Sequence, residues 1–449
     1  MSAPHLAFLF VLAADAVVKA LGASPGAQVL IVDHGRIVYD VPYGVRDVRT
    51  RLPVDDRTGF EIGSITKQFT AAAVLQLKER GKVALSDPLG KYLPQYAAAR
   101  AITLQQLLWQ VSGIPDYTSS PDFDDSKPAS LDGVLAAIRS RPLDFAPGSQ
   151  WEYSNTNYYL LGEVVARVSG MPWQQYVRTN IFRPAGMEDS TFSEDEPHVA
   201  DMATGYSQSG NGSGPIVAAG PMNGWAGAAG DIVSTARDLA KWDAALFGGR
   251  VINAGDVKLM TSAGPVPAGP YSGYGFGWMT DAYDGVPRLW HNGGTNGFHS
   301  ANQVFLSLRQ AVIVLSNGNF VDASAVAEAA FDLHNPAIAA RANVPAPGEN
   351  PAITALAKRA WAAISSGPMD RTLFSDSFNA FLTDRRLQDA RASLPGGQTA
   401  SDWIYRGRQA GTRGNVYTYF VDLDGGQRLV VSIAVDAAGK IAGLVYSPR

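Results

Sequence analysis

The chain has no cysteine, which excludes disulfides, thiolate metal sites and cysteine nucleophiles together. Histidine is scarce: six residues are scattered through 449, and none forms His-Glu-x-x-His or a comparable metal-ligand spacing. No glycine-rich phosphate loop precedes a helix. Neither a metal nor a cofactor is therefore expected. An excess of basic charge is also missing. Lys and Arg number 37 against 41 Asp and Glu, a formal net charge of −4, and no Lys/Arg cluster offers a footprint for nucleic acid. No run reaches membrane-spanning length. "HLAFLFVLAADAVV" (5–18) is too short and too interrupted to cross a bilayer, and "MSAPH" ahead of it lacks the Lys or Arg of a signal peptide, so a retained helix is expected there. The missing cysteines leave the compartment open, because a periplasmic protein need not use disulfides.

What is present is ordinary globular material, 46% hydrophobic and 17% charged, in a chain long enough for two or three domains. "AQVLIVDHGRIVYDVPYG" (27–44) reads as a hairpin, with β-branched and apolar runs flanking the turn residues Asp33-His34-Gly35. Residues 64–80 read as a helix stopped at Gly81, with Lys78 and Arg80 in its last turn. From about 86 to 254 the pattern is mostly helical. "NYYLLGEVVARVSG" and "STARDLAKWDAALFGG" are its clearest amphipathic helices; each ends on glycine, and Ser234 or Thr235 can cap the second. Strand-like runs return in "GYGFGWMTDAY", "VPRLWHNGG", "HSANQVFLSL" and "QAVIVLSNG", followed by the helical "VDASAVAEAAFDLH".

Early and late strands around a helical insertion predict one sheet assembled from both ends of the segment, with an all-helical lobe beside it. The fold class is α+β. A first domain is expected over 1–339, a linker rich in Pro and small residues over 340–351, and a small α+β domain over 352–449. In that last domain Gly425-Gly426 and the Asp436–Gly439 stretch mark hairpins. There is no internal repeat and no low-complexity segment.

Two serines invite attention. "GASPG" (22–26) fits Gly-x-Ser-x-Gly, the pattern of a nucleophile on a strand-to-helix turn. The residue after such a serine must offer its N–H to an oxyanion, yet here it is Pro25, which has none. The stretch also precedes a strand rather than following one, so Ser24 is rejected. "EIGSITKQFTAAAVLQL" (61–77) puts Ser64 and Lys67 one turn apart at the start of an apolar helix. A cation there opposes the helix dipole, and the plain reading is a capping serine with an unrelated lysine. The chemical reading is richer. A serine at a helix start can use its own N–H for an oxyanion, and a lysine one turn on reaches the same face. Desolvation would lower the lysine pKa and let it move protons.

"YSNTNY" supplies Tyr153, Ser154 and Asn155, which alone would read as a packed loop tyrosine and a helix-capping asparagine. "HNGG" supplies His291, Gly293 and Gly294 at the end of a predicted strand, which alone would read as an edge strand turning at glycines. Ser-x-x-Lys and Tyr-x-Asn each occur once in the chain.

Together, "SITK", "YSN" and "HNG", in that order and at those spacings, resemble the serine β-lactamase and penicillin-binding protein superfamily. The resemblance covers roughly residues 15–335 and extends to "ITLQQLLWQVSGIPDY", "FAPGSQWEYSNTNYYLLGEVV" and "GDIVSTARDLAKW". The closest branches are the class C β-lactamase-like group and D-alanyl-D-alanine carboxypeptidases with histidine in the third motif. Family VIII carboxylesterases and D-aminopeptidases belong to the same group. The resemblance implies the β-lactamase/transpeptidase-like fold and a serine hydrolase working through an acyl-enzyme. It makes Ser64 the nucleophile and Lys67 and Tyr153 its proton-transfer partners, with either as the base. Backbone N–H groups of Ser64 and Gly294 would form the oxyanion hole. Asn155 would bind the acyl amide or carbonyl and help hold Lys67, and His291 could hydrogen-bond Tyr153. Gly293 would let the strand lie close to the bound acyl group.

Departures matter for the substrate. His291 replaces the lysine of Lys-Thr-Gly in β-lactamases, and "GFGWMTDAY" holds no Arg or Lys to grip a substrate carboxylate. A neutral ester, or a D-amino-acid amide or peptide, is therefore expected ahead of a β-lactam or a carboxypeptidase substrate. A non-hydrolytic penicillin or peptidoglycan-fragment sensor is the rival of another class, disfavoured because Lys67 and Tyr153 are both retained. Trp225, Trp278 and Trp290 would pack in the core or line an apolar acyl pocket. "LLWQVSG" carries larger residues than relatives do before Ser-Gly, with an altered pocket wall as the expected effect. The carboxy-terminal domain resembles cystatin-like or NTF2-like modules and shows no catalytic cluster, so its default roles are homo-oligomerisation or covering the cleft. The resemblance implies a periplasmic or secreted protein, while the weak leader keeps a cytoplasmic one open.

Overall fold

The computed structural model describes Val17, residues 20–22 and residues 24–448, except 98–99, 122, 125–126, 211–213, 219–223, 267, 269–272, 394–398, 412–413 and 425–427. Apart from Val17, the helix expected at 5–18 lies outside the described residues, as does the Gly425-Gly426 turn. The described residues form two compact units. One runs to Ala268 and includes Gly273–Asp281 and Val286–His334; the other comprises Ala282–Gly285 and Asn335 onward. The division at His334 falls just ahead of the stretch expected as linker, into which a helix Pro336–Arg341 extends.

In the first unit, β1 (Gly26–Asp33), β2 (Arg36–Asp47) and β3 (Leu52–Pro53) come from the early chain. The late chain supplies β4 (Gly273–Tyr274), β5 (Met279–Tyr283), β6 (Val286–Thr295), β7 (Phe298–Phe305) and β8 (Gln310–Ser316). They make one sheet in the order β3-β2-β1-β8-β7-β6-β5-β4, with antiparallel pairing of β1 to β2 and β8, and of β7 to β6 and β8. The β1–β2 turn has two residues, His34 and Gly35, both at positive φ, the conformation that matches strand twist in tight hairpins. The Val/Ile/Leu runs of β1 and β8 are buried, as suits central strands covered on both faces.

Helix α1 (Thr66–Glu79) is buried from Thr66 through Leu77. Its polar members are satisfied inside: Thr70 Oγ1 donates to the Ala228 carbonyl at 2.7 Å, and Gln68 Oε1 accepts from Trp242 Nε1 at 2.9 Å. The Phe69 ring stacks on Trp242 at 4.1 Å; burying such a side chain contributes about 2–3 kcal/mol. Helix α2 (Asn155–Ser169) packs on α1 and stops at Gly170, φ +76. Helix α3 (Ala236–Phe247) is capped by Thr235, whose hydroxyl accepts the Asp238 N–H. Helices α3 and α4 (Ala323–His334) both lie on the central strands.

The lobe predicted from helical periodicity also carries short strands. Ile232–Ser234 pairs with Thr191–Phe192 and with Phe60–Glu61, directly ahead of Ser64. These two- and three-residue pieces are too short to show a period of two in the sequence.

The second unit has its own core, around Trp361, Phe378, Tyr419 and Ile433. Helices α5 (Pro351–Ser365), α6 (Asp376–Phe381) and α7 (Asp384–Ser393) precede an antiparallel sheet of β9 (Ala400–Gly411), β10 (Gly414–Leu423), β11 (Arg428–Val435) and β12 (Ile441–Pro448).

Candidate active site

After Phe60–Glu61 the chain turns at Gly63, φ +50, through a 3₁₀ turn (Gly63–Ile65) into α1. A Cβ on Gly63 would sit 2.8 Å from the Gly294 amide nitrogen. Glycine is required here twice, for the left-handed backbone and for the close approach of β6. The Gly294 N–H therefore lies beside the turn that carries Ser64, which is partly exposed.

Lys67 is fully buried, yet its Nζ donates to Ser64 Oγ at 2.8 Å, to Asn155 Oδ1 at 2.8 Å and to the Ala229 carbonyl at 2.7 Å. Three N–H bonds meet three acceptors, so the ammonium survives at a helix start that disfavours it. Burial still pulls its pKa from 10.5 to about 7, with the Asp116 carboxylate acting in the opposite direction.

Tyr153 stands beside this group, its ring centroid 4.8 Å from Lys67 Nζ. Its hydroxyl is buried without a hydrogen bond of ordinary geometry. Burial raises its pKa well above 10, as does the Tyr274 phenol, while the nearby Ser64 hydroxyl favours the phenolate. The loop is held by Gln110, a non-glycine residue at φ +61. Gln110 Oε1 accepts the Ser154 N–H at 3.2 Å and an Asn157 Nδ2 hydrogen at 2.5 Å. The "LLWQVSG" departure thus does more than alter a wall: its glutamine ties down the Tyr153–Asn155 segment, while Trp109 packs on Phe276 at 5.5 Å.

Asn155 opens α2. Its Oδ1 faces Lys67, and its Nδ2 donates to Asp116 Oδ2 at 3.0 Å. One amide hydrogen is thereby committed, leaving one for a ligand.

One expectation needs correction. His291 does not bond Tyr153. Its Nε2 pairs with the Tyr274 hydroxyl at 3.2 Å and its Nδ1 with the Asn292 carbonyl at 2.6 Å; the Tyr153 ring lies only alongside, at 6.0 Å between centroids. A carbonyl can only accept, so Nδ1 carries the proton and Nε2 accepts from Tyr274. Burial, reinforced by Lys67, lowers the His291 pKa to about 3, so it is neutral. Gly293 lies hard against the protein's own backbone: a Cβ there would come within 1.9 Å of the Ile62 carbonyl oxygen and 2.6 Å of Ser300 Oγ.

Ser64, Lys67 and Asn155 are thus joined by hydrogen bonds, with Tyr153 and His291 beside them and Gly293-Gly294 against the Ser64 turn. Among the described residues, no arginine or second lysine donates a hydrogen bond to these side chains. Arg288, on β6, is committed elsewhere, to Asp281 at 2.8 Å and Glu328 at 2.7 Å. Trp278 is buried against Phe247, and Trp290 donates to Asp281; Trp225, partly buried, lies against Phe123. Sequence reasoning passed over Asp116, Ala229 and Tyr274. Asp116, following a proline, reads as a turn residue; Ala229 acts through its carbonyl, which leaves no side-chain signal; Tyr274 reads as strand core.

Near the strand Phe60–Glu61, three acids meet: the buried Glu61 and Asp231 and the half-buried Glu196. Burial and mutual repulsion raise Glu196, and burial lifts Asp231 to about 8 against a hydrogen bond from Ser193.

A family model described as Beta-lactamase matches residues 14–335. Protein flp of Staphylococcus aureus (strain MW2) is 30% identical over 308 residues, 66% of this chain and 60% of that protein. The chain therefore spans about 60% of the length of the flp proteins it matches. A D-stereospecific amidohydrolase from Streptomyces sp. superposes with TM-score 0.62 at 31% identity, over 71% of this chain and 98% of that one. An octameric penicillin-binding protein homologue from Pyrococcus abyssi shares the fold over 98% of both chains, with TM-score 0.65 at 22% identity.

Gly293→Ala is expected to cost about 3 kcal/mol or more in denaturant unfolding. Gly294→Ala should cost little, because its new methyl would meet nothing nearer than the His299 ring at 3.7 Å. The acids predict a second effect. A raised folded-state pKa contributes stability that is complete below the unfolded value and is lost as pH rises through the folded one. Lys67, with its lowered pKa, gains stability over part of the same range, so the comparison must be between proteins. Glu196→Gln should show a shallower loss, or a larger gain, of melting temperature than the wild type from about pH 7 to 9.5; parallel curves would contradict it.

Proposed function

The chain belongs to the beta-lactamase family, and we propose that it is a serine hydrolase cleaving uncharged carboxyl esters or D-amino-acid amides and peptides through an acyl-enzyme. The observation that carries this reading is the bonding of Lys67. An ammonium donates three hydrogen bonds; the neutral amine keeps two N–H groups and gains a lone pair. Asn155 Oδ1 and the Ala229 carbonyl can only accept. Loss of a proton can therefore reverse only the contact with Ser64, whose hydroxyl then donates to Nζ. With a pKa of about 7, the amine is well populated near neutral pH.

Burial favours neutral Tyr153, which supports Lys67 as the base for acylation. Ser64 Oγ attacks the acyl carbon as its proton passes to Lys67 Nζ. The developing oxyanion is held by the N–H groups of Ser64 and Gly294. Tyr153 gives its proton to the departing oxygen or nitrogen and is restored from Lys67. Water then cleaves the ester on Ser64, with the same groups returning the proton. Asn155 offers its remaining amide hydrogen to the substrate, and Gly293 keeps the strand edge close.

Charge supports this substrate class. His291 is neutral and Arg288 is paired away from the site, so among the described residues neither offers a fixed cation to a carboxylate of the kind β-lactams and carboxypeptidase substrates carry. The similarity to a D-stereospecific amidohydrolase favours the same side.

A panel of p-nitrophenyl esters, D-aminoacyl anilides and nitrocefin tests the assignment. Turnover of at least one of the first two classes should exceed that of nitrocefin, and Ser64→Ala should lower kcat/KM about 1000-fold or more. Because the base must be deprotonated, kcat/KM should rise with pH through a midpoint of about 7. Full activity in Ser64→Ala would end the proposal, and a flat profile between about pH 5 and 9 would remove Lys67 as base.

A further inference from the structure

We propose that Asp116 is a positioning residue of this reaction: it orients the Asn155 amide so that its oxygen faces Lys67, leaving Ser64 as the contact that the lysine can reverse. The inference rests on the serine-hydrolase reading above and deepens it. A carboxamide can present either end to a neighbour, and an Asn155 turned the other way would aim N–H groups at Lys67. A carboxylate accepts only. Asp116 Oδ2 takes the Nδ2 hydrogen of Asn155 at 3.0 Å and its main-chain N–H at 3.3 Å, which sorts the two ends of the amide.

Asp116 is itself held. Its Oδ1 accepts from the Thr118 N–H and from Thr118 Oγ1, both at 3.0 Å. Its carbonyl takes Ser119 Oγ at 2.7 Å and Arg141 Nη1 at 3.1 Å. The loop is fastened to α2 on both sides: Thr156 Oγ1 donates to the Pro115 carbonyl at 2.7 Å and accepts the Tyr117 N–H at 2.9 Å. The carboxylate therefore reaches Asn155 from a fixed frame.

Its charge has a second effect. The groups facing Lys67 are Ser64, Asn155, the Ala229 carbonyl, the rings of Tyr153 and Tyr158, and neutral His291. Asp116 supports the ammonium against desolvation. Removing the charge while keeping an acceptor should lower the lysine pKa; removing both should also free the Asn155 amide.

The test uses the full chain carrying ¹³Cε-lysine, with the Lys67 signal assigned through Lys67→Arg. In the wild type the signal should titrate at about 7. In Asp116→Asn the midpoint should fall by about half a unit or more, and the acid limb of p-nitrophenyl ester hydrolysis should move with it. Asp116→Ala should lower kcat about 10–100-fold, with KM changed by less than about threefold. A purely structural residue would lower the melting temperature and leave the Lys67 midpoint in place. An unmoved midpoint in Asp116→Asn, or full kcat in Asp116→Ala, overturns the proposal. A wild type inactive on every ester and amide would instead strike the hydrolase reading, and the lysine titration would still report on Asp116.

Discussion

A lysine ammonium buried against a hydroxyl, an amide oxygen and a peptide carbonyl is the constraint on which the rest of the site turns. Each acceptor comes from a different segment: Ser64 from the turn before α1, Asn155 from the start of α2, Ala229 from the stretch leading to Ile232–Ser234. Burying a charge without partners costs several kcal/mol, so displacing any of the three segments raises the energy of the whole. The helices are thus held to one another by a polar contact inside an apolar interior, and burial in the same place brings the lysine pKa down to about 7. On the proposed reading, stability and reactivity share one set of atoms.

The approach of β6 is a second constraint, and it is steric. A methyl group on Gly63 would meet the backbone of Gly293 and Gly294, one on Gly293 would meet the Ile62 carbonyl, and Gly277 likewise meets the main chain of Lys67. Ser300 then spans the junction, donating to the Ile62 carbonyl at 2.8 Å. The close packing that puts the Gly294 amide beside Ser64 depends on side chains that are absent, and the hydroxyl of Ser300 supplies the attraction.

Much of this was legible in the chain. Alternation and β-branching marked the long strands, helical periodicity marked α1 to α4, and the turn at His34-Gly35 announced its hairpin. Ser64, Lys67, Tyr153 and Asn155, which the structure brings together, were picked out because three short motifs stand in one order along the chain. What escaped notice acts through means that leave no such trace. Ala229 contributes a carbonyl, which every residue possesses. Asp116 sits after a proline, where a turn explains it fully. His291 was assigned the wrong partner because spacing along a strand does not reveal which of two tyrosines lies across from it. The tight fit of Gly293 against the Ile62 carbonyl also left no mark in the sequence, because it depends on which backbone lies opposite.

The neutrality of His291 has a consequence for turnover. Hydrolysing an uncharged ester or amide releases an anion, and an anion stays where a permanent positive charge waits for it. On the proposed reading, this site meets its product with an imidazole that carries no charge and, above about pH 7, an amine that has shed its own. The freshly made acid is better solvated by water than by the walls around it, so the reaction itself manufactures the reason for the product to depart.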